Sequence, residues 1–529
     1  MRIGKRICLL IALITPFLLA RSAYCQTQNV SWVDCFGSWS NGSNWSGGIA
    51  PNNISATTYN VTIDRPVSQC GSSFVAADLD QNVTVNSLTL GFGDFLVARN
   101  STPDTFTILS GFNSGGGGIE FFNGSTLIVD GPYVGGGTFQ FGGRLISRGL
   151  TINGNQFSAG APNLIVGPGS EVDARGGTFT NLNSLTGTLD GSGAGNFTVF
   201  DIGGTLRFDP GTGPYGGNII NIAPDVVLLL DGGQVLYGPG AGTNALTHLS
   251  SNAGFFDFAG ILDVSGSLNN SGHLGIGFFD NSGSITVNGN FTNSGAVSIG
   301  VFGGSPMTGS LESHSYTQNS LGTTNIFQTG TLTADTIDIQ GGLSLAGTIN
   351  GNLTIEANGH ETGDGTINGN LTNFGTFART GIVTGDVLNA SLLAEGAKVG
   401  TLKIGGNYTQ TTAGTLSEML SSPSSFDRVD VSGLAFIGGT LAITTHFNPF
   451  GGETLTILDA SSLSGQFSTI VGDHFGGPND FWNVVYTPTS VELVAATPEP
   501  GTLVLLGIGF LGLAGLMRRK ALPPRQIEI

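Results

Sequence analysis

The sequence predicts an all-β protein whose main body is a parallel β-helix. Of its 529 residues, 87 are Gly, 39% are hydrophobic and only 10% are charged. Disorder goes with high charge and low hydrophobicity, so this composition argues against it. Glycine follows no Gly-x-y period, which excludes a collagen helix. Short apolar runs that stop at Gly, Asn or Asp therefore indicate many strands joined by tight turns.

The strand pattern begins near Thr57. Runs such as YNVTID, NVTVNSLTL, GGTLRFD and DVVLLLDG are rich in Val, Ile, Leu, Thr and Phe. Outside the two ends of the chain, apolar residues show no helical period. These runs predict strands throughout the main body.

Internal repetition favours a β-helix among the all-β folds. The unit Ile/Val-Asn-Gly-Asn occurs at Ile152–Asn155, Val287–Asn290, Ile349–Asn352 and Ile367–Asn370. A related phrase reads LNNSG from Leu268, FTNSG from Phe291 and LTNFG from Leu371. The last two copies of the first unit begin at Ile349 and Ile367, a spacing that suits one coil of short strands and corners. A β-propeller is the alternative, but its blades need about 40 residues each.

The N-terminus reads as a secretory signal peptide over residues 1–25. Three basic residues within the first six precede an apolar segment from Ile7 to Ala20. Cleavage after Cys25 and cleavage after Ser22 both fit the small residues near this boundary. We therefore expect an exported protein.

Cleavage after Cys25 would leave two cysteines, Cys35 and Cys70, in the exported chain. Two cysteines in an exported protein suggest one disulfide that staples the N-terminal region. Two buried free thiols are the alternative, because a sequence does not show whether the Cα atoms come close enough to bond.

Residues 26–56 are predicted to form a cap on the first coil. Trp32, Trp39 and Trp45 are three of the four tryptophans in the chain. Large aromatic side chains can cover an open first coil, whose strand edges would otherwise invite aggregation. The pattern WSNGSNWSGGIAPN resembles the first segment of many secreted, autotransporter-like passengers. Stacking of these rings against sugars is the alternative interpretation.

The β-helix coils are expected over residues 57–399, followed by a C-terminal β-helix module over residues 400–495. Runs such as FDRVDVSGLAFIGGTLAITT and NVVYTPTSVELVA resemble the C-terminal module of autotransporter-type passengers. The resemblance implies a segment that completes the β-helix as a more stable end. We expect Trp482 to cover the last coil and Thr487–Glu499 to be an exposed linker.

Charge and motif content exclude several function classes. The net charge is −18 and the pI is about 4.5, so the chain lacks the basic surface that nucleic-acid binding requires. No HExxH, Walker loop, Gly-x-Ser-x-Gly elbow or Cys-x-x-Cys occurs. We predict no catalytic residue and no cofactor.

A few acidic residues still need weighing. Asp78, Asp80 and Asn82 alternate, so on a strand they would share one face and could bind a hard cation. Solvated residues at a sheet edge are the alternative, and no metal site is predicted. Four further carboxylates are expected in a Gly-rich corner or a loop: Glu361 and Asp364 in the corner, and Asp427 and Asp430 in the loop.

Residues 496–529 contain three signals in order. These are a Pro-Glu-Pro triplet, an apolar run and a basic cluster: Pro498, Glu499, Pro500; Thr502–Met517; Arg518, Arg519, Lys520. The run is slightly shorter than the roughly 20 residues of a membrane-crossing helix, yet it predicts a transmembrane helix. The basic cluster would stay on the cytoplasmic side.

This arrangement resembles the bacterial PEP-CTERM sorting signal. The resemblance implies that an exosortase-type enzyme cuts at the triplet and releases or re-anchors the passenger. The tail Ala521–Ile529 departs from the family, whose members usually stop soon after the basic residues. An ordinary C-terminal membrane anchor is the alternative.

The sequence therefore predicts an exported structural protein, anchored in the inner membrane as a precursor and then placed at the bacterial cell surface or in the extracellular matrix. The family resemblance implies an association with exopolysaccharide or adhesion. The alternative from another class is a polysaccharide lyase or glycosidase on the same scaffold, since β-helices host such enzymes. A glycosidase would need two carboxylates at a set separation.

Overall fold

A computed structural model describes most of the chain between residues 26 and 519. Its description covers 26–129 apart from 54–56, 73 and 116. From 133 to 191 it covers short strand segments and residues 182–191. From 198 to 519 it leaves out 278–280, 302–305, 395–398, 478 and 497–501. The predicted signal peptide lies outside the described residues.

The chain divides into two compact units, Met1–Thr354 and Ile355–Ile529. In the residues that the structure describes, both units are built mainly of β-strands. Unit 1 also has 3-10 helices at Gly42–Asn44 and Val67–Gln69, and unit 2 has an α-helix, α1, at Thr502–Arg519. The all-β class predicted from the sequence is confirmed.

The first strands of unit 1 are β1–β19. They run β1 Gln26–Ser31, β2 Phe36–Ser38, β3 Thr57–Ile63, β4 Val75–Asp78, β5 Val83–Leu90, β6 Asp94–Ala98, β7 Thr105–Gly115, β8 Gly118–Phe121, β9 Thr126–Val129, β10 Tyr133–Gly136, β11 Phe139–Phe141, β12 Arg144–Ser147, β13 Leu150–Ile152, β14 Asn163–Val166, β15 Glu171–Ala174, β16 Leu182–Asn183, β17 Thr188–Leu189, β18 Thr198–Ile202 and β19 Thr205–Phe208.

The next strands are β20–β34. They run β20 Asn221–Ile222, β21 Val226–Asp231, β22 Gln234–Tyr237, β23 Thr243–Asn244, β24 Ser251–Asn252, β25 Phe255–Val264, β26 Leu268–Asn270, β27 His273–Ile276, β28 Gly283–Asn293, β29 Ala296–Ile299, β30 Gly309–Gln318, β31 Thr323–Ile326, β32 Gly330–Ile339, β33 Gly342–Leu345 and β34 Thr348–Ile355.

Unit 2 contains β35–β51. They run β35 His360–Gly363, β36 Thr366–Asn368, β37 Leu371–Asn373, β38 Thr376–Arg379, β39 Gly381–Val383, β40 Val387–Asn389, β41 Leu392–Ala394, β42 Thr401–Ile404, β43 Tyr408–Gln410, β44 Thr415–Ser422, β45 Ser425–Phe426, β46 Arg428–Ile437, β47 Thr440–Thr445, β48 Thr454–Gly465, β49 Thr469–Val471, β50 Phe481–Tyr486 and β51 Ser490–Ala496.

In unit 1, strands pair in parallel with strands one coil further along the chain. One sheet takes the order β1-β3-β5-β7-β9-β12-β15-β19-β22. A second passes through β25, β27, β29, β31 and β33, and a third through β28, β30 and β32. The strands of these three sheets thus have their partners on the next coil, which is the pairing of a parallel β-helix. The short strands β16 and β17, and β22 and β23, pair antiparallel instead.

The coils of unit 1 differ in length. Phe255 pairs with His273, and the sequence distance between these two residues equals that between Ile349 and Ile367 in the repeated unit. Gln26 pairs with Thr57, a much wider spacing. The coil length predicted from the repeated unit is therefore present at some positions, and longer corners extend the others.

Unit 2 repeats the arrangement with shorter coils at its start. His360 pairs with Thr376, and Thr376 pairs in turn with Leu392, so two successive coils have the same length. The unit ends differently, because β51 pairs antiparallel with both β48 and β50. An antiparallel hairpin thus closes the parallel pairing.

Apolar side chains fill the interior because alternate residues of each strand point inward. On β28 and β30, Phe291 and Tyr316 pair in register and their rings stack 5.2 Å apart at an interplanar angle of 8°. Both side chains are fully buried. Stacking of like residues on successive coils is how this fold builds its core.

The interior of unit 1 also holds a row of amide side chains, here called the interior amide ladder. Asn252, Asn270, Asn293 and Gln318 lie on β24, β26, β28 and β30, and each is at most 1% exposed. Each Nδ2 donates to the amide oxygen of the following member, over 2.8, 3.0 and 3.4 Å in turn. The ladder pairs buried amide groups across four strands, although Oδ1 of its first member, Asn252, has no hydrogen-bond partner among the described residues.

Unit 2 carries a shorter ladder of the same kind. Asn373 Nδ2 donates to Asn389 Oδ1 over 2.9 Å, and Asn389 Nδ2 donates to Gln410 Oε1 over 3.2 Å. Gln410 Nε2 then donates to the carbonyl oxygen of Thr440 over 3.0 Å. Asn373 belongs to the phrase LTNFG, and Asn389 and Gln410 pair with it in register on the following coils. The repeated phrase therefore marks an interior amide.

Candidate functional site

The tryptophans of the predicted cap lie together at the start of unit 1. Trp45 packs edge-on against both neighbours, with ring centroids 4.9 Å from Trp32 and 4.5 Å from Trp39. Trp39 also packs against Phe106, and its Nε1 donates to the carbonyl oxygen of Pro51 over 2.9 Å. All three indoles are at most 3% exposed, so none presents a ring face on which a sugar could stack.

The two candidate cysteines are joined. Cys35 and Cys70 form a disulfide with their Cα atoms 5.5 Å apart. The bond links the segment before β2 to the turn at Val67–Gln69. It closes a loop across the first coil, next to the tryptophan cluster.

The cation candidates from the sequence do not converge. Asp80 accepts hydrogen bonds from the main-chain N–H and the hydroxyl of Ser40. Asn82 Oδ1 accepts the N–H of Thr105 over 2.7 Å, and Asp78 lies exposed at the end of β4. Both engaged side chains organise loops. Among the residues that the structure describes, no three His, Cys, Asp or Glu side chains form a metal-binding group.

Two expectations about the other carboxylates are wrong. Glu361 lies inside β35 and is fully buried, whereas Asp364 lies exposed in the corner after that strand. Alternation along β35 turns Glu361 inward, although glycines surround it in the sequence. Asp430 lies within β46 and forms an ion pair with Arg428, so it is not in a loop.

Asp427 has a structural role in the short connection before β46. Its Oδ1 accepts the N–H of Gly400 over 2.8 Å, and its Oδ2 accepts the N–H of Met419 over 3.1 Å. The carboxylate thereby ties three segments of unit 2 together.

Trp482 covers the C-terminal hairpin. It is 2% exposed, its ring lies 5.1 Å from that of Phe475, and its Nε1 donates to Thr445 Oγ1 over 3.0 Å. The interaction joins β50 to β47. That Trp482 covers the last coil stays a prediction.

The expected linker before the sorting triplet is wrong over most of its length. Ser490–Ala496 forms β51, and Val491, Leu493 and Ala495 are buried. The alternating residues of SVELVAA suit a strand with one buried face. Folded structure therefore extends to within two residues of Pro498.

The segment after the triplet is helical. α1 spans Thr502–Arg519, and the side chains of Gly507–Met517 are exposed. Pro498, Glu499, Pro500 and Lys520 lie outside the described residues, and the side chains of Arg518 and Arg519 are not described.

The predicted transmembrane helix is not confirmed. Within the part of the chain that the structure describes, no helix combines the length and apolar character needed to cross a membrane. α1 has 18 residues. At 1.5 Å per residue it reaches about 27 Å, against a hydrocarbon core of about 30 Å.

Comparison with protein families explains this end of the chain. The family described as the PEP-CTERM protein-sorting motif matches residues 496–520. This chain carries a PEP-CTERM sorting motif. The match spans the Pro-Glu-Pro triplet, the apolar helix and the basic cluster, which confirms the assignment made from those residues. A sorting motif in this position supports an exported surface protein.

The remaining comparisons add little. The search of curated proteins found no match. Among solved structures, the Hap adhesin of Haemophilus influenzae matches with 12% identity over 83% of this chain, at a TM-score of 0.23. The match covers 63% of the adhesin chain. At so low a TM-score, the likeness has no bearing on the fold or function of this chain.

Proposed function

We propose that this chain is a bacterial structural protein of the cell surface or extracellular matrix, delivered there by an exosortase-type enzyme. The PEP-CTERM motif carries this proposal, because it lies directly after the last strand of the β-helix passenger. The apolar helix α1 holds the precursor at the inner membrane, and cleavage at Pro498–Pro500 frees or re-anchors the passenger.

The passenger's role is structural and not catalytic. Its carboxylates serve the fold in several places: Asp80 and Asp427 accept main-chain hydrogen bonds, and Asp430 pairs with Arg428. Stacked coils give a stiff scaffold, since each coil is hydrogen-bonded to its neighbours along whole strands.

A polar outer surface supports association with exopolysaccharide. On the first coils, Asn60 Nδ2 donates to Asn29 Oδ1 over 2.9 Å, and Asn86 Nδ2 donates to Asn60 Oδ1 over 2.6 Å. Beside them, the hydroxyls of Thr27 and Thr58 lie 2.9 Å apart. Such rows repeat amides and hydroxyls at the strand spacing of about 4.8 Å, which suits hydrogen bonding along a sugar polymer.

Sorting is tested by expressing the full-length chain in matched bacterial strains with and without an exosortase. We expect intact mass spectrometry to show loss of the segment after the triplet only where the enzyme is present, with the product at the cell surface. Replacing Pro498, Glu499 and Pro500 with Ala should abolish the loss. A full-length chain in the inner membrane of both strains would refute the proposal.

The exopolysaccharide association is tested separately in an exosortase-positive strain that lacks polymer synthesis. We expect the processed protein to leave the matrix fraction and enter the medium in that strain. Added purified polymer should return it to the matrix fraction. Equal retention with and without polymer would refute this part of the proposal and leave the sorting result untouched.

A further inference from the structure

A corner of unit 1 brings two carboxylates together on successive coils. Ile63 pairs with Leu90, so Asp64 and Gly91, the residues that follow them, lie side by side where the chain turns. A Cβ on Gly91 would stand 2.3 Å from Asp64 Oδ1 and 2.7 Å from Asp94 Oδ2. The two oxygens are therefore at most about 5 Å apart, around a position where the chain has no side chain.

Asp94 is the unusual member of this pair. It is fully buried, and its Oδ1 has no hydrogen-bond partner among the described residues. Its Oδ2 accepts only the main-chain N–H of Arg65, over 3.1 Å. Burial, with a smaller contribution from the charge of Asp64, raises the pKa of Asp94 to about 6. A buried carboxylate costs free energy unless charge or hydrogen bonds compensate it.

No side chain supplies that compensation. Within the described residues, neither Asp64 nor Asp94 forms an ion pair, and the Nε of nearby Arg65 has no hydrogen-bond partner. The corner thus places two carboxyl groups close together without a cationic partner among the described residues.

We propose that this corner, here called the Asp64–Asp94 corner, binds a calcium ion. Both carboxylates act as ligands: Asp94 Oδ2 faces Asp64 across the position beside Gly91, and Oδ1 of the same buried carboxyl group has no hydrogen-bond partner among the described residues. Calcium takes six to eight oxygen ligands at about 2.3–2.6 Å, so one ion can bridge oxygens up to about 5 Å apart.

Main-chain oxygens of the same corner and water complete the ligand set. The carbonyl oxygens of Gly91 and Asp94 lie 2.6 and 2.5 Å from the position that a Cβ on Gly117 would take. Gly117 therefore sets no side chain against these two carbonyls. The Gly91 oxygen accepts the N–H of Asp94 over 3.3 Å and keeps a second lone pair. Oxygen ligands from a flexible corner suit calcium better than magnesium, which demands near-ideal octahedral geometry.

The experiment uses the full-length chain purified in detergent, stripped of metal with a chelator and titrated with calcium chloride at pH 7.5 by calorimetry. We expect one bound ion with a Kd on the order of 10⁻⁴ to 10⁻³ M, the range of extracellular calcium modules. Magnesium chloride should bind at least tenfold more weakly. Calcium should also raise the melting temperature of the N-terminal region.

Two variants locate the site, and a third is the control. Asp94→Asn keeps the shape and removes the buried charge, and Gly91→Ala keeps both carboxylates but places a methyl group between them. Both should lose calorimetric binding and the calcium-dependent melting shift. Asp78→Asn, which removes an exposed carboxylate of the neighbouring strand β4, should bind as the parent does.

Circular dichroism in chelator shows whether each variant is folded. Should Asp94→Asn fail to fold, Asp64→Asn, which changes the exposed partner, takes its place and should weaken binding at least tenfold. Absence of calcium binding by the parent chain would overturn the proposal. A proton shared by the two carboxyl groups would then explain their close approach. Unchanged binding by folded Asp94→Asn and Gly91→Ala would overturn it too.

Discussion

Removal of one interior amide should destabilise unit 1 far more than removal of the same side chain from its surface. Asn270 is 1% exposed. Its Nδ2 donates to Asn293 Oδ1 and to the carbonyl of Ala296, both over 3.0 Å, and its Oδ1 accepts from Asn252 Nδ2 over 2.8 Å. Nδ2 also donates to the carbonyl oxygen of Gly272 over 3.2 Å, so Asn270→Ala deletes four interactions at once.

The magnitude follows from those contacts. A buried hydrogen bond contributes about 1 kcal/mol net, and a partner left unsatisfied costs about 1–3 kcal/mol. We therefore expect Asn270→Ala to lower the free energy of unfolding by about 3 kcal/mol. Asn29, on the outer surface, shares one hydrogen bond with Asn60, so Asn29→Ala should change stability by no more than about 0.5 kcal/mol.

Asn270→Asp gives a diagnostic pH dependence. Its carboxylate would face three acceptor oxygens, those of Gly272, Asn293 and Ala296, so burial and repulsion would raise its pKa in the folded state. The protonated form is then favoured by folding. Stability should be greatest at acid pH and should fall as the pH rises through the raised pKa.

The assay is urea unfolding followed by circular dichroism, from pH 4 to pH 8, on the parent and the three variants. Equal urea midpoints for Asn270→Ala and Asn29→Ala would refute the idea that the interior ladder stabilises the coils. A pH-independent deficit for Asn270→Asp would show that residue 270 reaches solvent.

Three further predictions concern the ends of the chain. Cys35 and Cys70 are separated by 35 residues, so replacing both with Ser should lower the free energy of unfolding by about 4 kcal/mol according to the chain-entropy relation. Limited proteolysis should then become faster near the N-terminus, while the rest of the chain stays protected. Trp482→Ala should lower the free energy of unfolding by about 3–5 kcal/mol and speed hydrogen exchange in β50 and β51, whereas exchange at β1, which belongs to unit 1, should not change. β51 ends two residues before the triplet, so inserting eight Gly/Ser residues between Ala496 and Pro498 should speed exosortase cleavage. An unchanged cleavage rate would show that the folded β51 does not limit access of the enzyme to the triplet.

Much of the candidate site was predictable because its signals are local. The Pro-Glu-Pro triplet, the apolar run and the basic cluster are contiguous, and residues 496–520 match the sorting motif. The strand content was predictable for the same reason, since alternation and turn residues act over a few positions. The tryptophans could be assigned to an end of the fold because they are concentrated in one short segment.

Residues that depend on strand register were not predictable. The phrases LNNSG and FTNSG were recognised only as repeats, and the structure turns their Asn270 and Asn293 into the core, two residues after Leu268 and Phe291 on the same face. That two-residue spacing was the available signal, and the abundance of Asn in turns concealed it. Glu361 was placed in a corner for a similar reason.

The sequence by itself determined the all-β class, the sorting signal and the chemical types that fill the interior, because these depend on composition and short-range order. Only the tertiary structure decided which polar groups meet. Coil lengths vary along the chain, from the short coil that pairs His360 with Thr376 to the long one that pairs Gln26 with Thr57. Lengthening a corner costs little free energy, so no fixed period links one coil to the next. The approach of Asp64 to Asp94 exists only because Ile63 and Leu90 pair in register.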